Sequence, residues 1–319
     1  MGCKRGQVVD YGCGVSKLNH GQWDDEEFSY EPYSMLTVPV IAANGARSTL
    51  TMPDPVISTG SWPDASTTGY GNTVLVPATT NSLNVPGATY SGLHFTGVVT
   101  ISASNVTLSN CLITANPADP WSLGLNGTLT GVVVKNVTII GAGKGTLQSS
   151  AAYGFYVQGN VGVTFDACDI SQVGQNAIND GNIVVKNCYI HDLNSGPGTH
   201  YECIYYGGAG GTNPNFSLDI EHNTLNNQRN NAAMYVANDF GAINNVTINN
   251  NLLIDSNAAG SFTCYVDGAL SAHSITNVAV TNNALLPGQY GYFLLRQGLA
   301  PVYQVTKSGN YDYITKAPV

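Results

Sequence analysis

The chain has 319 residues, only 10% of them charged, and a formal net charge of −9, where a typical soluble domain is about 25% charged. An acidic balance excludes the basic footprint that nucleic acid or an anionic membrane requires, and no run approaches the roughly 18 apolar residues of a membrane span. An apolar content of 43% excludes disorder, and much of the polarity comes from 34 asparagines, a neutral surface suited to an extracellular or particle-borne protein.

The start, Met1-Gly2-Cys3-Lys4-Arg5-Gly6, leads into Asp10 and Tyr11 rather than an apolar h-region, so no signal peptide is read there. Residues 1–70 hold eight of the 20 acidic residues, including Asp24-Asp25-Glu26-Glu27, and show no repeat. Pro32-Tyr33, Pro53-Asp54-Pro55 and Ser61-Trp62-Pro63-Asp64 predict turns and extended chain. This part is expected to be a separate anchoring or assembly segment.

From Asn105 a nine-residue pattern recurs: polar, apolar, polar, apolar, polar, polar, a seventh residue that is most often Cys or Asn, any residue, then Ile or Leu. Copies begin at Asn105, Gly131, Gly162, Asn182, Ser217, Asn245 and Asn277. Period-two alternation predicts strands rather than helices. The inward columns are Val106, Val132, Val163, Ile183, Leu218, Val246, Val278 and Leu108, Val134, Phe165, Val185, Ile220, Ile248, Val280. Short strands at variable spacing predict a solenoid, because one rung cannot bury its apolar face alone. The fold class expected is therefore all-β: a single-stranded right-handed parallel β-helix over residues 71–297, with a C-terminal cap over 298–319 that blocks the open edge.

The seventh position reads Cys111, Val137, Cys168, Cys188, Asn223, Asn251, Asn283. Stacked asparagines at a strand bend predict an amide ladder, and cysteines in the same column read as small buried hydrophobes. Cys168 and Cys188 fall in successive copies, within disulfide reach. Cys3 and Cys13 lie in the non-repeating segment, where an interchain bridge is reachable. A second strand per turn places Tyr156, Tyr205, Tyr235, Tyr265 and Phe293 in an outward aromatic row if Phe155, Ile204, Met234 and Cys264 face inward. Such a row is a sugar-stacking face, a protein interface, or a surface covered by loops.

The densest ionisable cluster is His191, Asp192, His200 and Glu202, with Arg229 expected one coil later. His200 and Glu202, two residues apart, share one side of a strand and form an acid/base candidate; the alternative is that they solvate a turn. A β-helix glycoside hydrolase needs paired carboxylates, and neither the paired Asp of polygalacturonase-like enzymes nor the Asp-Pro-His of alginate epimerases occurs in the coils. No zinc spacing occurs, and calcium bound by Asp166, Asp169 or Asp180 is unsupported by spacing. No cofactor is expected.

From about Ser61 the chain resembles a pectate-lyase-like family of β-helix proteins found in rhizobia, actinobacteria and their phages. The matching stretches are Trp62-Pro63-Asp64-Ala65-Ser66-Thr67-Thr68-Gly69, Tyr90-Ser91-Gly92-Leu93-His94-Phe95-Thr96-Gly97, Ile190-His191-Asp192-Leu193, His200-Tyr201-Glu202-Cys203-Ile204 and Gly288-Gln289-Tyr290-Gly291-Tyr292-Phe293. The family usually has His-Tyr-Asp-Gly-Ile at the fourth of these, so the Asp and Gly of that motif are missing here. The superfamily includes lyases, hydrolases, epimerases and non-enzymatic spikes. The resemblance implies a virion spike or fibre protein: a homotrimer fixed to other virion proteins through its N-terminal segment, released by lysis, and leaning away from enzymatic activity. A polysaccharide is its ligand if the tyrosine row stacks sugars. The rivals are a polysaccharide-processing enzyme of lyase or epimerase type acting on an acidic polymer, and a non-viral surface adhesin.

Overall fold

The computed structural model describes residues 37–41, 47–51, 62–117, 119–142, 153–158, 161–193, 201–208, 217–227, 231–255 and 260–319. The chain divides into two compact units, Met1–Pro55 and Val56–Val319, so the division falls ahead of the expected residue 70. In the first unit, strands Thr37–Ile41 and Arg47–Thr51 pair antiparallel.

The second unit is built of short parallel strands, and no helix occurs among its described residues. Three sheets share them out, each taking every third strand, so the chain visits the sheets in strict rotation. One sheet of nine strands runs from Ser82–Leu83 to Gly291–Arg296 and contains the tyrosines; we call it the tyrosine sheet. A second, from Thr89–Ser91 to Tyr303–Ser308, contains the first strand of every nine-residue repeat and is the repeat sheet. The third has ten strands, from Val76–Pro77 to Tyr311–Asp312. Each turn of the chain thus forms one layer. No helix in the described residues is long and apolar enough to cross a membrane.

Both expected inward columns are in register. Val132 pairs with Val163, then Ile183, Leu218, Val246 and Val278, while Leu108 leads to Val134, Phe165, Val185, Ile220, Ile248 and Val280. All of these side chains are buried in one continuous core. Two layers lie beyond the seven repeats. Thr89–Ser91 pairs with Thr107–Ser109 ahead of them, and Tyr303–Ser308 pairs with Ile275–Thr281 after them. The segment expected as a cap is therefore one further layer: its strand Tyr311–Asp312 extends the third sheet, and its tail returns as an antiparallel bridge from Pro318 to Tyr311.

Between the repeat sheet and the third sheet the chain turns on one residue. Asn110, Asn136, Ala167, Asn187, His222, Asn250 and Asn282 all have φ between 50° and 55°, the left-handed region that asparagine tolerates better than most residues. The next residue enters the expected ladder. The backbone N–H and Nδ2 of Asn223 donate to Oδ1 of Asn251, those of Asn251 to Asn283, and those of Asn283 to Asn310, at 2.9 to 3.0 Å. Each Nδ2 also donates to a carbonyl of the layer before: Val185, Ile220, Ile248 and, from Asn310, Val280. Every amide of this buried column is thereby satisfied within the fold, as burial demands.

The cysteines extend the ladder as free thiols, correcting the disulfide expected between Cys168 and Cys188. The N–H of Cys168 donates to Sγ of Cys188 at 3.3 Å, and its own thiol donates to the Val134 carbonyl at 3.3 Å. Each sulfur takes part of the role an asparagine amide fills farther along. Cys3 and Cys13 lie outside the described residues.

Residues 62–77 are not separate from the stack. They form a strap over the outward face of the third sheet, running against the direction in which the layers accumulate. Trp62 closes a second apolar cluster there with Leu252, Ile254, Ala284 and Leu286, flanked by Tyr311 and Tyr313. Its ring lies 5.7 Å from that of His222. Asp64 then makes a turn, accepting from the N–H and Oγ of Ser66 at 2.8 and 2.6 Å. Gly69 donates to the Ala167 carbonyl at 2.9 Å with φ +73°, and a Cβ there would meet Thr138 Oγ1 at 2.2 Å, so only glycine fits. Val76–Pro77 finally joins the third sheet beside Leu93 and His94.

Candidate functional site

The tyrosine sheet presents an outward column in which Tyr205 pairs with Tyr235 and Tyr235 with Tyr265. Alternation buries Ile204, Met234 and Cys264 in the core and turns the tyrosines to the other face. Their rings meet edge to face, at centroid separations of 5.8 Å for Tyr205–Tyr235 and 4.7 Å for Tyr235–Tyr265. The row is not continuous toward Tyr156: that residue pairs with Asn179 in the short strand Ile178–Asn179, and Asn179 pairs with Tyr205. Phe293, expected in the outward row, pairs instead with Cys264 and packs against the core, and Leu294 takes the place beside Tyr265. The physical reason is register. Gly291 stands opposite Phe262 and Phe293 opposite Cys264, so the last strand is offset by one residue from the alignment expected, and a one-residue offset reverses the faces.

Carboxylates line the end of these strands. The Tyr205 hydroxyl donates to Asp239 at 2.9 Å and that of Tyr235 to Asp267 at 3.2 Å. Asp267 is only 1% exposed and is held by a two-pronged pair with Arg296, Nε to Oδ1 at 2.9 Å and Nη2 to Oδ2 at 2.6 Å. Asp180 accepts from the Gly207 N–H at 2.6 Å. Burial pushes the Tyr205 phenol well above its ordinary range, and Asp239 adds to this; burial lifts Tyr265 to about 12. These hydroxyls stay protonated at neutral pH; those of Tyr205 and Tyr235 donate to carboxylates, while that of Tyr265 accepts from the Phe262 N–H at 2.9 Å.

On the opposite side, where the chain enters the tyrosine sheet, lies Glu202, 2% exposed. Its backbone N–H donates to Asn176 Oδ1 at 2.9 Å, and Asn231 Nδ2 donates to its Oε1 at 2.6 Å. Burial raises its pKa to about 8 against the lowering effect of Asn231, so at neutral pH it is mostly the uncharged acid. His200 and Arg229, its expected partners, lie outside the described residues.

His191 belongs to a different place, the third-sheet strand Tyr189–His191. Its Nδ1 lies 2.7 Å from Asp192 Oδ2 and its Nε2 3.0 Å from Asp169 Oδ1, and its ring stacks on Tyr189 at 3.9 Å. Burial alone would lower its pKa, but the two carboxylates outweigh that and raise it. Among the described residues no hydrogen bond or ion pair joins this group to Glu202. Asp166 sits between Lys135 and Lys186, at 3.5 and 3.9 Å, and accepts from Asn187 at 2.9 Å. No group of three or more His, Cys, Asp or Glu able to hold a metal occurs among the described residues.

No family model, curated protein or solved structure matches the chain.

Residues that the sequence reading missed complete the aromatic surface. Phe262 lies 5.7 Å from Tyr265, and Tyr290 lies 5.7 Å from Phe262. At the other end Phe240 and Tyr205 both lie over Gly207, where a Cβ would come within 2.8 Å of each ring. Phe240 and Tyr290 sit in connections whose lengths differ from layer to layer, and Phe262 is the first residue of the strand Phe262–Asp267, ahead of the alternation that could be read.

Proposed function

We propose that the chain is a right-handed parallel β-helix of the pectate-lyase-like kind, serving as a virion spike or fibre protein whose tyrosine face binds host glycan without cleaving it. One observation carries this reading: the acid and base groups at the two ends of the tyrosine sheet, and His191 on the third sheet, are committed to holding the fold, while the aromatic surface is left outward. Asp267 is locked to Arg296, Asp239 receives Tyr205, His191 is clamped between two carboxylates, and Glu202 is sealed from solvent. A catalytic base must reach the proton it removes, and an outward row of aromatic rings suits sugar contact. The trimeric state and the attachment through the N-terminal segment come from the family resemblance.

The test is the mass of the full chain by light scattering, together with incubation against pectate and alginate, following the ultraviolet absorbance of unsaturated ends. A trimer without turnover supports the reading; a monomer that cleaves either polymer overturns it.

A second reading, a polysaccharide-processing enzyme, is favoured by the protonated state of Glu202 near neutrality, which a general acid needs. Any turnover that Glu202→Gln abolishes would establish it in place of the first.

A further inference from the structure

The rings of Tyr205, Tyr235, Tyr265, Phe262 and Tyr290 touch in series, and Phe240 lies with Tyr205 over Gly207, so the six form one strip. It crosses the tyrosine sheet obliquely, from the connection after one strand to the connection before another two layers on. Its two ends are the most open points: Phe240 is 38% exposed and Tyr290 57%. Single exposed rings need no explanation, but a connected strip with open ends marks a contact surface.

Charge selects what can lie on it. Among the described residues Arg296 lies within electrostatic reach of Tyr235 and Tyr265, and both of its contacts go to the buried Asp267. Asp239 sits at the edge with one oxygen occupied by Tyr205 Oη. The chain as a whole carries −9. Against the described residues, a polymer with a carboxylate on every sugar would meet a negative edge with no unengaged cation to pair with, a desolvation cost with no return. Hydroxyl and acetamido groups, by contrast, find an acceptor in Asp239 beside rings that pack on the apolar faces of pyranoses. The three column rings, Tyr205, Tyr235 and Tyr265, stand one per layer at centroid separations of 5.8 and 4.7 Å, on the scale of one sugar unit in an extended β-linked chain.

We infer that the strip from Phe240 to Tyr290 is a subsite for an extended, uncharged glycan chain of hexose or N-acetylhexosamine units, and that it rejects uronate polymers. The inference rests on the glycan-binding reading above and narrows its ligand. It also separates this face from the acidic polymers that the enzymatic rival would process.

The experiment is calorimetric titration of the full chain with chito- and cello-oligosaccharides as neutral probes and oligogalacturonate as the acidic one. Neutral chains are expected to bind. Tyr290→Ala and Phe240→Ala should each weaken them about ten-fold, with circular dichroism confirming that both variants stay folded. Preferential binding of oligogalacturonate, or no binding of any probe, overturns the inference. If neither galacturonate nor alginate is cleaved and the trimer persists, the spike reading survives that failure. Should Tyr290→Ala and Phe240→Ala instead dissociate the assembly, the strip is an interface between copies and the inference also fails.

Discussion

Oδ1 of Asn251 accepts both the backbone N–H and the side-chain Nδ2 of Asn223, each at 2.9 Å. One oxygen thus satisfies two buried donors of the preceding layer, while Nδ2 of Asn251 satisfies the Ile220 carbonyl. Replacing Asn251 with Ala strands the Asn223 N–H, leaves Asn223 Nδ2 with only its bond to Val185 and takes a donor from the Ile220 carbonyl, and a stranded buried polar group costs about 1–3 kcal/mol. Asn251→Ala is therefore expected to destabilise the stack by about 3 kcal/mol or more, read as a fall in the denaturation midpoint. Asn251→Asp keeps the acceptor but aims an oxygen at the Ile220 carbonyl, and should fare no better.

Ala167 stands at a bend where five of the seven equivalents are asparagine, yet has φ 52°. A left-handed alanine carries a steric cost of about 1–2 kcal/mol, partly offset by the flexibility glycine adds to the unfolded chain. Ala167→Gly is expected to raise stability by about 0.5–1 kcal/mol, and Ala167→Val to lower it. Urea denaturation of the three proteins checks both signs.

Glu202 makes stability depend on pH in a direction opposite to that of most carboxylates. The folded pKa, about 8, lies above the ordinary 4.5. Between those values the folded chain keeps a proton that the unfolded chain has released. Stability is greatest below the lower value and falls as pH rises through the window, by at most about 1.4 kcal/mol per pH unit. Glu202→Gln keeps the shape without the proton, so its stability between pH 5 and 8 should be flatter and higher at the alkaline end. A wild-type curve no steeper than that of the variant would contradict the burial of a neutral acid here.

Trp62 closes an apolar cluster outside the main core. Truncation of a buried Trp typically costs about 3–5 kcal/mol. Trp62→Ala is expected to lose something near the lower figure and to expose Leu252, Ile254 and Leu286. Amide exchange should quicken in strands Leu252–Asp255 and Ala284–Leu286 before it does in Thr107–Ser109.

Much of this architecture was legible because alternation and repetition act on every layer. The columns through Val132 and Val134 could be read directly, since each interior position must be apolar and each neighbour confirms it. The outermost layers were not legible. In the last of them Lys307 pairs with Val280 where the pattern demands an apolar residue, which an open end tolerates and an interior layer would not. The strand Ile178–Asn179 is too short to show alternation, so the break in the tyrosine row went unread. The bend left a trace, asparagine at the sixth repeat position, but its meaning lies in a dihedral angle rather than in hydropathy. The carboxylate partners were invisible for another reason. Asp239 serves Tyr205 across 34 residues, and connections of unequal length carry no period from which such a pairing can be counted.

A stack in which each layer touches only its neighbours melts like a zipper, losing end layers one at a time at little cost to the middle. The run from Trp62 to Pro77 alters that arithmetic. Its beginning is seated on the layers of Leu252 and Ala284, its middle on that of Thr138, and its end is a strand beside Leu93. Opening a late layer therefore releases a chain that early layers also hold, so the two ends of the stack sense each other through a tie only sixteen residues long. Fraying from the C-terminal end, the ordinary weakness of a repeat protein, becomes a cooperative event that involves nearly the whole molecule.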